Sequence, residues 1–237
     1  MTRVLWHSVS PWTGTGYGVQ TALFTPRIKE LGHDVAISCY YGLQGSETEW
    51  GGMRCLPSYA AAYGTDTLIP HALEHFGVAE EKASLGDIGS LGVVITLGDV
   101  WTLDVPLIDL VSVASWVPVD HLTVPQIVRK WFDHSGAIPI AMSRFGQRAL
   151  EDAGRRALYV PHGFDGRIFR PADQAEAREQ TGVPQDAFVV GMVANNIGRD
   201  GNRKAFAEQI TAFAQLYARH PDTFLVLHTD VDAPGGM

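Results

Sequence analysis

Arg3-Val4-Leu5-Trp6-His7-Ser8-Val9, followed by Thr13-Gly14-Thr15-Gly16-Tyr17-Gly18, reads as a strand running into a glycine-rich turn. An amphipathic helix is expected next, over about 19–31, with Gly32 in the usual position past a helix end. Asp34 to Tyr40 is the second strand. Strand, glycine turn, helix and strand in this order open a parallel sheet. The rest of the chain repeats the alternation. Met53–Pro57 is a short strand candidate, with a helix over 66–76. Gly92–Leu97 and Val113–Val119 are continuous apolar runs, as expected of strands buried on both faces. Ala137–Met142 and Ala157–Val160 continue the series, with helices at about 124–134 and 144–153. The predicted class is α/β: a doubly wound parallel sheet, Rossmann-like, over residues 1–171.

Near Pro161 the pattern breaks into a polar connector, Pro161-His162-Gly163-Phe164-Asp165, which ends at Arg170-Pro171. A helix over 172–181, a strand Phe188–Ala194, a loop 195–202, a helix 203–219 and a strand Thr223–His228 follow. That is the first βαβ unit of a second parallel domain, so 172–237 is read as a connector and an incomplete start. Residues 183–237 are too few for an ordinary domain of about 100–150 residues. Strand 188–194 is apolar on both faces and lacks neighbours. The expectations are that the chain of this length is inactive alone, with weak or no donor binding and a tendency to self-associate, the second piece docking on the first domain, pairing with another chain through its exposed edge, or staying loosely ordered.

Composition narrows the function. The chain has 237 residues, 46% hydrophobic and 19% charged, which suits a packed core. Its net charge of -8 argues against a surface that coats nucleic acid. The longest apolar stretch, 91–119, is interrupted by Asp99, Asp104 and Asp109, so no transmembrane segment is expected. No signal segment is visible. Cys39 and Cys55 form no disulfide framework, and a reducing cytoplasm is the expected location. The histidines are scattered without a zinc-binding spacing, so no metal is expected.

Three places can carry chemistry. At Gly14 and Gly16, backbone N–H groups can approach a phosphate at a helix start. The spacing departs from the dinucleotide fingerprint, and Tyr40 and Tyr41 stand where a ribose-binding acid would be. A tight turn remains the plain alternative. Between the later strand and helix, Asn195 leads into Arg199, Arg203 and Lys204, a basic cluster in an acidic protein. Cations in a first helical turn are disfavoured unless an anion pairs with them, which points to a diphosphate there. A solvated helix start is the alternative. Asp99 follows strand 92–97, while Asp120 and His121 follow strand 113–119. Strand carboxyl ends form the ligand crevice of open α/β sheets. Asp120 and His121 can orient a sugar hydroxyl or move a proton; Asp99 can equally cap a turn. His121 and His162 can equally be ordinary loop and connector residues.

Together these residues resemble nucleotide-sugar glycosyltransferases of family 4, which have the GT-B architecture. The segments carrying the likeness are the Gly14–Gly18 turn, Leu31-Gly32-His33-Asp34-Val35, and Ala141-Met142-Ser143-Arg144-Phe145. Further on are the connector 161–165 with Phe169-Arg170-Pro171, and Val190–Ala194 with Asn202-Arg203-Lys204 and Phe206. Tyr17 and Gly98-Asp99-Val100-Trp101 look like the branch found in bacterial and bacteriophage genomes. The resemblance implies transfer of a sugar from a nucleotide diphosphate donor, UDP- or GDP-linked, with retention and without a metal or cofactor. It implies that Arg203 and Lys204 neutralise the donor diphosphate, helped by Arg199, and that Gly16 lets the first loop approach it. Asp120 or His121 occupies the place of the family's active-site histidine; because Asp precedes His, either can match. The family's E-x7-E element does not occur in this sequence. The acceptor is left open. Two other readings are a non-catalytic unit that binds an acceptor or partner, and a nicotinamide-dependent oxidoreductase. The missing ribose acid and the basic second loop count against the latter.

Overall fold

The computed structural model describes residues 1–78, 91–104, 110–196 and 204–232. The chain divides into two compact units, Met1–Gly166 and Arg167–Met237. The first unit is built on an eight-stranded sheet: β1 (Arg3–Val9), β2 (Asp34–Tyr41), β3 (Thr48–Trp50), β4 (Met53–Leu56), β5 (Gly92–Leu97), β6 (Val113–Val117), β7 (Ile138–Ala141) and β8 (Leu158–Tyr159). Its strand order is β3-β4-β2-β1-β5-β6-β7-β8, and every pairing is parallel except β3 with β4. Helices α1 (Gly16–Glu30), α2 (Leu68–Phe76), α3 (Gln126–His134) and α4 (Arg144–Asp152) connect the strands. The predicted parallel α/β sheet is therefore present. β3 was not anticipated: it is short and polar, and it turns back through Gly51 and Gly52, both at positive φ.

β1 lies at the centre because its side chains suit two cores. Leu5 belongs to one cluster with Ala36, Val94, Val113 and Phe76. Val4 and Trp6 point to the other, with Ile37, Cys55 and Trp116. Period-two alternation along a strand places neighbours on opposite faces, so a central strand buries side chains on both, its polar His7 and Ser8 being hydrogen-bonded. Trp6 satisfies its indole N–H by donating to Thr21 Oγ1 at 3.1 Å. Trp6, Phe24 and Trp116 pack together, the last two edge-on at 4.7 Å.

α1 departs from the expected amphipathic helix. Its buried residues are Gly18, Gln20, Thr21 and Thr25. Their polarity is absorbed locally: Thr21 and Thr25 donate to the carbonyls of Tyr17 and Thr21 at 3.0 and 2.8 Å. Gln20 clamps the connector, donating to the Gly163 carbonyl at 3.0 Å and accepting from its N–H at 2.7 Å. Trp116 donates to the Val160 carbonyl at 2.8 Å, and the His162 ring meets its face edge-on at 5.0 Å. The first unit thus holds Val160–Gly163 through buried side chains.

In the second unit, α5 (Gln174–Thr181) leads into β9 (Phe188–Val193), α6 (Phe206–Arg219) and β10 (Thr223–His228). β9 and β10 pair in parallel. Strand β9, apolar on both faces, has β10 as its one partner among the described residues, and Phe188 and Val193 are exposed. The helix also begins later than expected. Ala205 has φ 53° and ends the loop, so the first helical turn starts at Phe206. Lys204 precedes that turn, and the argument from cations inside it does not apply to Lys204. Among the described residues, no helix is long and apolar enough to cross a membrane.

Candidate functional site

From β1 the chain moves to β2 on one side, and β5 later lies against β1 on the other. That reversal of strand order opens a crevice at the carboxyl ends of the strands. A small pocket of about 40 Å³ lies there. Tyr17 from the first turn of α1 and Tyr40 from the end of β2 line it, with Tyr63 from a short 3-10 turn. Thr96, Leu97, Gly98 and Asp99 contribute the end of β5, and Thr102 and Leu103 the segment after it. His7 of β1 forms the floor.

Electrostatics ties the strand ends together. Burial, then the charges of Asp99 and Asp120, push the Tyr17 phenol up to about 12. Burial foremost raises Tyr40 to about 12. Both therefore stay protonated near neutrality. Burial and then the Asp120 charge raise the Asp99 carboxyl above the ordinary carboxylate range. The charges of Asp99 and Asp120, read separately from two strand ends, thus both act on Tyr17, and of the two only Asp99 is among the described residues lining the pocket. Asp120 Oδ1 lies 2.6 Å from His121 Nδ1, and both side chains are exposed, at 85% and 67%.

One wall is held by a buried polar chain. His7 Nε2 lies 2.9 Å from the Tyr63 carbonyl, which can only accept, so Nε2 carries the proton. Nδ1 then accepts from the Ser38 hydroxyl at 2.9 Å, and Ser38 accepts from His71 Nδ1–H at 2.9 Å. Burial lowers His7 to about 4, so it is neutral near pH 7. Tyr63 sits at φ 60°, a left-handed conformation that costs about 1–2 kcal/mol outside glycine. Gly64 follows at φ 64°, where a Cβ would press on His7 Cε1. Asp66 accepts from the N–H groups of Ala60 and Ala61, both at 2.9 Å, closing the loop.

The glycine turn resolves into two kinds of residue. Thr15 caps α1 by accepting from the Gly18 N–H at 3.0 Å. A Cβ on Gly18 would collide with the Thr13 and Ser10 carbonyl oxygens, whereas a Cβ on Gly14 or Gly16 would meet nothing within 4 Å. Packing therefore requires glycine at Gly18 and leaves open space before Gly14 and Gly16. Thermal denaturation should show it: Gly18→Ala is expected to cost about 1–3 kcal/mol by overpacking, and Gly14→Ala less than about 1 kcal/mol.

In the second unit, Asn195 is exposed just past β9. Lys204 stands before α6, its carbonyl accepting from Gln209 Nε2 at 2.7 Å. Both belong to the loop end of the βαβ unit. Arg199 and Arg203 lie outside the described residues. His7, Ser38, Tyr63 and His71 were missed as site residues. Each stands in an unremarkable local context, and folding alone brings them together; Tyr40 was noticed only as an absence of acid.

No protein-family profile matches the chain, and no curated protein matches it by sequence. Solved structures do match in fold. A glycosyltransferase from Rickettsia africae is 12% identical, with a TM-score of 0.52 over 98% of this chain and 69% of its own. An α,α-trehalose 6-phosphate synthase from Burkholderia multivorans is 11% identical, with a TM-score of 0.52 over 99% of this chain and 66% of its own. A UDP-forming α,α-trehalose-phosphate synthase from Burkholderia vietnamiensis is 13% identical, with a TM-score of 0.50 over 96% and 64%. The chain spans about two thirds of the length of these proteins. Its fold is α/β and Rossmann-like, the fold of glycosyltransferases with the GT-B architecture.

Proposed function

We propose that the protein transfers a sugar from a UDP- or GDP-linked donor to an acceptor held by the first unit, with retention of configuration. The carrying observation is the crevice at the strand-order reversal of a fold shared with glycosyltransferases, where Tyr17 and Asp99 line the pocket and Asp120 follows the neighbouring strand β6. Residues 1–171 form the acceptor side, and 172–237 begin the donor side. As the donor bond breaks, negative charge grows on the departing diphosphate. Arg203 and Lys204, with Arg199 and Asn195 beside them, stabilise that charge more in the transition state than in the ground state. Gly14 and Gly16 leave room for the diphosphate or acceptor against the first loop. Asp120 orients His121 through Nδ1, leaving Nε2 for a substrate hydroxyl. Fixed cations make a metal unnecessary in this scheme. Buried thiols Cys39 and Cys55 suit a cytoplasmic protein.

The test is release of nucleoside diphosphate from UDP- and GDP-sugars by the full-length gene product, with and without chelator. Turnover that survives chelation is expected. Absence of turnover with every donor, or complete loss on chelation with recovery on adding Mg²⁺, contradicts the reading.

A further inference from the structure

A second concavity, of about 310 Å³, opens at the carboxyl end of β2. Tyr40, Tyr41, Gly42, Leu43, Gln44 and Ser58 line it, and none of them is charged. Tyr40 also lines the small pocket of the crevice, so the groove and the crevice share a wall. We propose that this groove seats the acceptor and that the acceptor is an uncharged oligosaccharide, with a non-reacting sugar ring in the groove and the end of the chain at the crevice. The word acceptor rests on the transferase reading; the saccharide site rests on the groove itself.

The groove has the size of a small-molecule site, whereas the crevice pocket takes no ring. Its lining suits a ligand rich in hydroxyls. The Tyr41 and Ser58 hydroxyls and the Gln44 amide offer both donors and acceptors, and a charged ligand would meet no countercharge there. Exposed rings stand beside it. The Trp12 indole N–H donates to the carbonyl of Gly42, a lining residue, at 2.9 Å, yet nearly half of Trp12 is exposed. With its polar atom satisfied inside, what Trp12 presents to solvent is apolar ring. Tyr41 and Tyr59 are exposed as well. The carbon-bound hydrogens on one face of a pyranose carry partial positive charge and pack on the negative face of such a ring. The loop is also fixed in advance. The Ser10 N–H donates to the Tyr41 carbonyl at 2.9 Å. The Leu43 carbonyl accepts from the Ser58 N–H at 3.0 Å and from its hydroxyl at 2.9 Å. Little ordering of the loop is therefore needed when a ligand arrives.

The experiment titrates three neutral trisaccharides, maltotriose, cellotriose and mannotriose, and the anionic trigalacturonate into the 237-residue chain, with affinity read from the NMR shift of the Trp12 indole N–H. At least one neutral trisaccharide is expected to move that signal and to bind more tightly than trigalacturonate. Trp12→Ala and Tyr41→Ala should each weaken it about two- to tenfold, the range of one ring contact, and melt like the wild type because both side chains are exposed. Trp12→Phe keeps a ring and gives up the bond to Gly42, so it should retain most of the affinity. If Trp12→Ala fails to fold, Tyr41→Ala decides. No shift with any neutral probe, trigalacturonate binding as tightly as all three, or unchanged affinity in both alanine variants overturns the proposal. Binding of a neutral trisaccharide here without turnover of any UDP- or GDP-sugar by the full-length gene product leaves the saccharide site standing and removes the transferase reading.

Discussion

Lowering the pH from 6.5 to about 4 is expected to remove on the order of 3 kcal/mol of folding stability through His7 alone. His7 is fully buried in the fold, and its imidazole falls from 6.5 to about 4 there, chiefly because burial penalises the charged form. Above pH 6.5 the group is neutral in both states, and its contribution does not vary. Between 6.5 and 4 the unfolded chain takes up a proton that the folded chain refuses, so stability falls as pH falls. Below about 4 both states are protonated and the loss levels off. The chemical reason is local: a proton on Nδ1 would displace the Ser38 hydroxyl that donates to it. His71 and His75 are also lowered by burial and act in the same direction. Urea unfolding of the wild type and of His7→Gln, which keeps a donor and an acceptor, should show a steeper loss in the wild type between pH 6.5 and 4. Parallel profiles would show that His7 is not held neutral.

Asp120→Asn and His121→Ala should separate catalysis from binding. If the pair handles a substrate proton, the substitution at the working residue lowers kcat by about 10²–10⁴-fold. Donor affinity should change much less, because the diphosphate is assigned to the other unit. The melting temperature should barely move, since both side chains are largely exposed. Steady-state kinetics on the full-length gene product, with donor binding measured alongside, decides it. Full turnover in both variants would place the chemistry elsewhere.

How much of this was legible in the chain follows from which interactions are local. β5 and β6 could be read because a central parallel strand must be apolar on both faces, and Gly92–Leu97 and Val113–Val117 are. β3 could not, because Thr48-Glu49-Trp50 is a polar edge made by pairing with β4. The start of α6 was misplaced because nothing in the sequence marks Ala205 as left-handed. Asp99 and Asp120 were visible by a rule of topology: ligands gather at strand carboxyl ends. The Tyr63 wall was not. Its position depends on His7, 56 residues away in sequence, and on Ser38 and His71 behind it.

The most direct test of the account is calorimetry with UDP and GDP on the full-length gene product, wild type and Arg203→Ala/Lys204→Ala. Each lost charge-assisted contact is typically worth about 1.5–3 kcal/mol, or roughly 10- to 150-fold in affinity. The account predicts that one of the two diphosphates binds the wild type, that the double variant binds it at least about a hundredfold more weakly, and that both melt alike. Equal affinity in the two proteins, or no binding of either diphosphate to the wild type, would contradict it.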